Sequence, residues 1–368
     1  MDYRAELSKL NRKLNKHNFL HLPKDEPMSF KSDVILFDGA QRTRKRIILL
    51  TNGCTIGTCT MCPFPSESSV GVTSQNLINQ FDKAFENDDI SNYEIVTIFN
   101  NGNMFKDSEI PAEARIHMYD KVREAGCKYF VTESLPQFYD EAHHKEAMDH
   151  LVDVRLCVFM GLQSANDFIR NVCINTTCTK GNYEKAVKLL QSANYIPHAF
   201  LMLKPPFVTE SEGVTDVLES LSYLAGLNVT TVTICPTRVA PGTLLEKLYN
   251  MGEYNVPWNW SVVQVLQTWN DRAGVIPMVN TSELKAEINP DSVCAYGCPK
   301  CHDTTIRKIE RYLFSRDVKI LENINCDCYL DYVKHVLEED KANYWSGRGM
   351  EERIEYFLGE LKEQNETV

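Results

Sequence analysis

The feature that most constrains the fold is a regular alternation of short apolar runs with longer amphipathic segments. Six runs are predicted to be strands, at 46–52, 94–102, 128–134, 154–164, 198–207 and 228–236. Helical periodicity follows them over 74–87, 112–126, 136–150, 182–194, 210–226 and 243–254. Strands that alternate with helices of this length form βαβ units, so we expect an α/β fold with a parallel sheet.

Six units in series fit either a doubly wound sheet or a barrel. The first run is not followed by the G-x-G-x-x-G pattern, which disfavours a dinucleotide-binding fold. In a barrel, complete or partial, the functional site lies at the carboxyl ends of the strands. We therefore look for chemistry in the loops that follow the strands.

Three regions are predicted along the chain. Residues 1–45 form an N-terminal helical extension, whose first helix has Leu7, Leu10 and Leu14 on one face. Residues 46–287 form the barrel. Residues 288–368 form a small cysteine-rich, metal-binding module that ends in a helical tail.

Length and charge limit the function classes. With 368 residues, 43% of them apolar, the chain can bury a sizeable core. An N-terminal apolar segment and an apolar run near 18 residues are both lacking, so we expect no membrane span and a cytoplasmic location. The net charge of −11 argues against a surface coated for nucleic acid, although residues 1–48 carry five more basic than acidic residues. That excess fits either a local RNA-binding face or a solvated helix.

Cysteine usage indicates metal binding. The chain has 13 cysteines, an odd number, in a large protein without secretion signals, which disfavours a disulfide framework. Eight of them fall in two groups, at 54–62 and 294–328.

The first group lies in "NGCTIGTCTMCPFP", directly after the first strand, and contains Cys54, Cys59 and Cys62. A structural zinc site would favour two C-x2-C pairs, and only one is present. Three thiolates on a [4Fe–4S] cluster leave one iron open, and an open coordination position suits catalysis.

A C-x4-C-x2-C loop after strand one of a six-unit βα chain resembles the radical S-adenosylmethionine (SAM) superfamily. The resemblance implies a partial (β/α)6 TIM-like barrel in which SAM chelates the open iron. An electron, supplied by a donor such as ferredoxin or flavodoxin, cleaves SAM to methionine and a hydrogen-abstracting 5′-deoxyadenosyl radical.

The resemblance also implies residues that bind SAM. They lie beside the last cysteine, in "FNNGN" after strand two, at the end of strand three and in "MGLQSAN" after strand four: Met61, Asn101, Gly102, Glu133 and Gln163. Met61 stands where the superfamily has an aromatic residue, and Gln163 where it has an acid. The alternative for each polar residue is a strand-end group with protein partners.

Within the superfamily, the chain is most similar to the radical-SAM subunit of archaeosine synthase and its relatives. The similarity rests on "FNNGNMF", "VTESLPQF", "MGLQSANDFIR", "LMLKPPFVTESEG" and the late "CPKC…CDC". It implies cleavage of the C–N bond in the lysine adduct of 7-cyano-7-deazaguanine in tRNA, which leaves a formamidine. It also implies a lysine-transferring, tRNA-binding partner subunit.

Two basic residues near strand ends are candidates for substrate contact. Lys204 precedes Pro205-Pro206 after strand five, and Arg238 follows strand six. Lys204 could meet a carboxylate of SAM or of the lysyl adduct as a point charge. Arg238 could bind a carboxylate or a phosphate in bidentate fashion. The alternative for Lys204 is a salt-bridged residue of the rim.

The second group supplies four thiolates from two short motifs, Cys298/Cys301 and Cys326/Cys328. We predict a structural Zn²⁺ site. Cys294 lies four residues before Cys298, and with Cys298 and Cys301 it resembles an iron–sulfur triad. An auxiliary iron–sulfur cluster is therefore the alternative to zinc.

Two other functions remain open at this point. One is a radical SAM enzyme of the same build that acts on a small metabolite or a peptide. The other is a non-catalytic metal-binding interaction protein.

Overall fold

The computed structural model describes residues 2–15, 20–270, 272–285, 291–322, 324–341 and 349–366. These residues form one eight-stranded sheet whose strands follow chain order from edge to edge. The strands are β1 Ser29–Phe37, β2 Ala40–Leu49, β3 Ile95–Asn100, β4 Tyr129–Ser134, β5 Arg155–Gln163, β6 Ile196–Leu203, β7 Thr231–Pro236 and β8 Ile276–Val279. Only β1 runs antiparallel to its neighbour, and β2 to β8 are parallel.

Twelve α-helices are found in the described residues. The first eight are α1 Tyr3–Leu14, α2 Ser74–Lys83, α3 Ala112–Glu124, α4 Glu141–Leu151, α5 Lys180–Ser192, α6 Glu210–Gly226, α7 Leu244–Asn250 and α8 Asn259–Trp269. The last four are α9 His302–Ser315, α10 Lys319–Glu322, α11 Cys328–Lys341 and α12 Met350–Glu366.

The six predicted strands are present as β2 to β7. β3 and β4 are buried along almost their whole length, as expected for parallel strands that are covered on both faces. The sheet curls with its edges at β1 and β8, which gives the partial, TIM-like barrel that the sequence predicts. Loops at the carboxyl ends of the parallel strands therefore converge on one mouth.

The prediction that residues 1–45 form a helical extension is wrong over 29–45, where the chain forms β1 and the first part of β2. β1 pairs with β2 in a hairpin whose two-residue turn is Asp38-Gly39. Both turn residues have positive φ, +49° and +76°. A tight two-residue hairpin turn requires positive φ at both positions, and Asp-Gly is a favoured sequence for it. The first parallel strand consequently begins at Ala40 and not at residue 46.

The proposed boundary between residues 287 and 288 lies outside the described residues. Beyond it, apolar residues of α9 such as Ile306 and Ile309 belong to the same buried cluster as Val262 and Leu266 of α8. The helical tail, α12, packs through Phe357 into a second cluster with α1 and α7. Both C-terminal segments thus lie against the barrel. Among the described residues, no helix combines the length and apolarity needed to cross a membrane.

Candidate active site

The first cysteine group occupies the loop that joins β2 to α2, at the barrel mouth. Burial raises the pKa of Cys59 to about 12, and the neighbouring Cys54 thiolate adds to the rise. Burial also raises the pKa of Cys54 and of Cys62, and Cys59 raises that of Cys62 further. Three mutually repelling thiolates in a half-buried loop are unfavourable alone, and a cationic metal centre would offset that cost.

In the part of the chain that the structure describes, these three sulfurs are not among the groups that lie close enough together to share a single ion. Three thiolates on one loop are the ligand set that a [4Fe–4S] cluster with one open iron would take.

The cysteine loop is fixed from outside the barrel by α1. The buried Asn11 side chain donates to the carbonyl of Cys59 at 3.0 Å and accepts from the amide of Leu244 at 3.1 Å. One side chain thus joins the loop to α1 and α7. Sequence patterns did not single out Asn11, because its partners lie far away in the chain.

Thr60 fixes the same loop from within. Its hydroxyl donates to the carbonyl of Cys173 at 2.7 Å, and its carbonyl accepts from the amide of Leu245 at 3.0 Å. The neighbouring Met61 packs against apolar clusters that contain Met202 and Phe207.

The "FNNGN" turn after β3 lies against the cysteine loop. The side chain of Asn101 donates to the carbonyl of Glu67. A Cβ at Gly102 would lie 2.5 Å from Oε2 of Glu109, so a larger residue would displace that carboxylate. Asn103 Nδ2 lies 3.7 Å from Cys54 Sγ and joins the turn to the first cysteine.

Asn100, at the end of β3, has an unusual side chain. It is 1% exposed, and neither its amide nitrogen nor its carbonyl oxygen has a hydrogen-bond partner among the described residues. Buried polar atoms without a hydrogen-bond partner cost folding free energy. A polar ligand at this site could supply the missing hydrogen bonds to the Asn100 side chain. The sequence prediction named the next two positions and missed this one.

Glu133, the last residue but one of β4, lies at the same mouth. Its Oε1 accepts the backbone amide of Asn100 at 2.9 Å. Burial raises the pKa of Glu133 to about 7, although the Asn100 amide acts in the opposite direction. The carboxyl group is therefore able to hold or release a proton near neutral pH.

Gln163 ends β5 with a positive φ of +66° beside an irregularity in the β5–β6 pairing. A Cβ at Gly161 would meet Nε2 of Gln163 at 2.6 Å, so the Gln163 side chain lies over the glycine. The next residue, Ser164, donates to the buried Asp216 of α6 at 2.6 Å and anchors this strand end.

The structure corrects the prediction for Lys204. Its Nζ lies 2.8 Å from both Glu210 and Glu339, and its side chain is 1% exposed. Burial disfavours the charged ammonium, but the two carboxylates outweigh burial and raise the pKa of Lys204. Because α6 and α11 supply internal carboxylates, this ammonium is not offered to a substrate.

Arg238 follows β7 and donates to the hydroxyl of Ser292 at 2.6 Å. Nearby, burial raises the pKa of Glu283 to about 7, and Arg238 partly opposes the rise. Glu283 follows β8, and its Oε2 is buried without a hydrogen-bond partner among the described residues. The sequence analysis missed Glu283, because β8 was not predicted as a strand.

The second cysteine group forms a compact four-sulfur site. The Sγ atoms of Cys298 and Cys301 are 3.4 Å apart, those of Cys298 and Cys326 3.6 Å, and those of Cys301 and Cys328 3.5 Å. Four sulfurs around a tetrahedral zinc ion lie about 3.8 Å apart, since each Zn–S bond is about 2.3 Å. Cys294 is not a member of this group.

No protein-family model matches the chain. A protein of Methanocaldococcus jannaschii described as uncharacterized is 30% identical over 353 residues, which are 92% of this chain and 94% of that protein. Archaeosine synthase subunit beta of Thermococcus kodakarensis is 30% identical over 301 residues, 79% of this chain and 90% of that protein. The chain belongs to the archaeosine synthase subunit beta family.

Membership in this family confirms the resemblance to archaeosine synthase that the motifs predicted. Among solved structures, an archaeal Elp3 of Methanocaldococcus infernus is similar over 69% of this chain, with 13% identity and a TM-score of 0.46, and this chain spans 60% of it. Methylornithine synthase is similar over 84% of this chain and 87% of its own, with 11% identity and a TM-score of 0.45.

Proposed function

We propose that the chain is a radical SAM enzyme that modifies tRNA in the manner of archaeosine synthase. Its substrate would be the lysine adduct of 7-cyano-7-deazaguanine, and cleavage of the C–N bond would leave the formamidine of archaeosine. The observation that carries the enzyme assignment is the set of three half-buried cysteines, spaced C-x4-C-x2-C, in the loop after β2 at the barrel mouth. The relative named archaeosine synthase subunit beta supports the substrate.

In this proposal Cys54, Cys59 and Cys62 hold a [4Fe–4S] cluster, and SAM occupies the adjoining turn. Reductive cleavage of SAM, with its hydrogen-abstracting radical, is the chemistry that cluster and cofactor supply when bound. The orphaned amide atoms of Asn100 suit a polar ligand there, beside the predicted contacts Asn101 and Gly102.

The remaining predicted residues have roles that their environments support. Glu133 would accept or hold a proton at the ligand, because burial keeps its pKa near 7. Gln163 would offer its amide at the end of β5. Arg238 would contact a carboxylate of SAM or of the lysyl group, while the bond to Ser292 orients it.

For the four-sulfur group we propose a structural Zn²⁺ ion held by Cys298, Cys301, Cys326 and Cys328. Sulfur separations of 3.4 to 3.6 Å suit one tetrahedral ion better than an auxiliary cluster. The ion would tie the start of α9 to the start of α11. As a site that joins two helices, it would contribute to folding.

The partners in this proposal follow from the relatives' name. A protein called subunit beta works with another subunit, which here would make the lysine adduct and bind the tRNA. A ferredoxin or flavodoxin would supply the electron. We expect an enzyme with these partners to work in the cytoplasm.

The test supplies reconstituted protein with SAM, a reductant, the partner subunit and tRNA that carries the lysine adduct. Nucleosides and small fragments are then analysed by mass spectrometry. We expect archaeosine and a lysine-derived fragment, and neither product with Cys59→Ala. SAM cleavage with an unchanged adduct would overturn the substrate and favour a metabolite or a peptide.

A further inference from the structure

Glu109 joins the cysteine loop to the turn after β3. It lies between β3 and α3, and its side chain is fully buried. Oε1 accepts from the amide and the hydroxyl of Thr55 at 2.9 and 2.7 Å. Oε2 accepts from the amide and the side chain of Asn103 at 2.6 and 2.9 Å. Four hydrogen bonds on one buried carboxylate fix two loops against each other.

The second loop reaches the first cysteine directly. Asn103 Nδ2, which donates to Glu109, lies 3.7 Å from Cys54 Sγ, while Asn103 Oδ1 accepts from the amide of Leu135 at 2.9 Å. The amide group is therefore held in one orientation, with its nitrogen between carboxylate and sulfur. Groups that hydrogen-bond to a metal ligand orient that ligand and adjust the properties of the bound metal.

The charge of Glu109 is only partly compensated. Lys106 Nζ lies 3.5 Å from Oε1, and the Lys106 side chain is 23% exposed. Through Asn103, which donates to Glu109 and lies 3.7 Å from Cys54 Sγ, the carboxylate is one side chain away from the sulfur.

We propose that Glu109 is a positioning residue that fixes Cys54 at the cluster and lowers the reduction potential of that cluster. This rests on the proposed function, because it assumes a cluster on Cys54, Cys59 and Cys62. Cluster potentials respond to nearby charge and to hydrogen bonds at the sulfurs. A negative charge beside the cluster opposes the addition of an electron.

The test compares Glu109→Gln with Lys106→Met and with Asp107→Asn as a matched control. Asp107 loses its charge in the same turn, but its ion pairs among the described residues are with Arg115 and His143, which lie outside the cysteine loop. Iron content and a redox titration followed by electron paramagnetic resonance are measured on reconstituted full-length protein without substrate. We expect a higher potential for Glu109→Gln, a lower one for Lys106→Met and no change for Asp107→Asn.

Wild-type potential in Glu109→Gln at wild-type iron content would overturn the inference. If Glu109→Gln takes up little iron, Glu109→Asp, which keeps the charge, provides the second comparison. If Glu109→Asp retains iron and Glu109→Gln does not, the result supports the positioning role of Glu109. If both variants lose iron equally, the result overturns that role. If the wild-type protein takes up no iron–sulfur cluster, the result contradicts the proposed function itself.

Discussion

The Asn11 side chain donates to the carbonyl of Cys59 at 3.0 Å, although the two residues lie 48 positions apart in the chain. The same side chain accepts the amide of Leu244. The N-terminal helix is therefore part of the site's framework. Its removal would free the central cysteine of the group from its outer support.

Substitution of Asn11 by Leu tests this framework. It leaves the carbonyl of Cys59 and the amide of Leu244 without their partner, which we expect to cost about 1–3 kcal/mol of unfolding free energy. Urea unfolding of the unreconstituted protein measures that cost, and iron content after reconstitution should fall. The control is Lys9→Ala on the exposed face of α1, which should match wild type. Equal stability of Asn11→Leu and wild type would contradict the account.

The buried Lys204 pair gives a prediction about stability. Lys204→Met leaves two buried carboxylates without their cation, and breaking such a pair costs about 3–5 kcal/mol. The double variant Lys204→Met/Glu339→Gln should be more stable than the single variant, since one unpaired charge is also removed. Denaturant unfolding of the variants measures both effects. Additive losses would show that the two groups do not interact.

Asp216 gives a prediction about pH. Burial raises its pKa to about 7, although its bond from Ser164 acts in the opposite direction. The folded state then holds a proton that the unfolded state releases near pH 4, so this group makes stability fall as pH rises from about 4 to 7. The protonation of Asp216 contributes up to roughly 4 kcal/mol to the free energy of unfolding at low pH.

Asp216→Asn should abolish that contribution. We expect the variant to be more stable than wild type at pH 8 and to differ least near pH 4, when unfolding is followed by circular dichroism across this range. Parallel stability curves for the two proteins would show that the carboxyl group ionises normally in the fold.

Metal removal at the four-sulfur site gives a further prediction. Cys301→Ser should lower the zinc content of the purified protein from one ion toward none. Cys294→Ser should keep the ion, because Cys294 is not in the group. Trp260 Nε1 donates to Cys328 Sγ at 3.2 Å, so chelation should also change tryptophan fluorescence. If Cys294→Ser lost the zinc ion and Cys301→Ser kept it, the assignment of Cys301 and not Cys294 as a zinc ligand would be wrong.

The barrel was predictable from the sequence because central strands such as β3 and β4 are buried on both faces and are mostly apolar along their length. The β1–β2 hairpin was missed, although Asp38-Gly39 is a strong turn signal. β8 was also missed, because it has only four residues, Ile276–Val279.

Motif spacing located both cysteine groups, because their ligands are close in the chain. Residues that act across the fold left no such signal. Asn11 reaches Cys59, and Glu339 reaches Lys204 across 135 positions. Glu109 lies in a turn without a motif, and its role follows only from its four hydrogen bonds.

The central claim is that Cys54, Cys59 and Cys62 alone hold a cluster that cleaves SAM. The most direct measurement is release of 5′-deoxyadenosine by reconstituted protein with SAM and a reductant. Cys59→Ala should abolish it, whereas Cys178→Ala, which removes a buried thiol outside the group, should leave it near the wild-type rate. Wild-type protein that holds about four iron atoms and never releases 5′-deoxyadenosine would contradict the account.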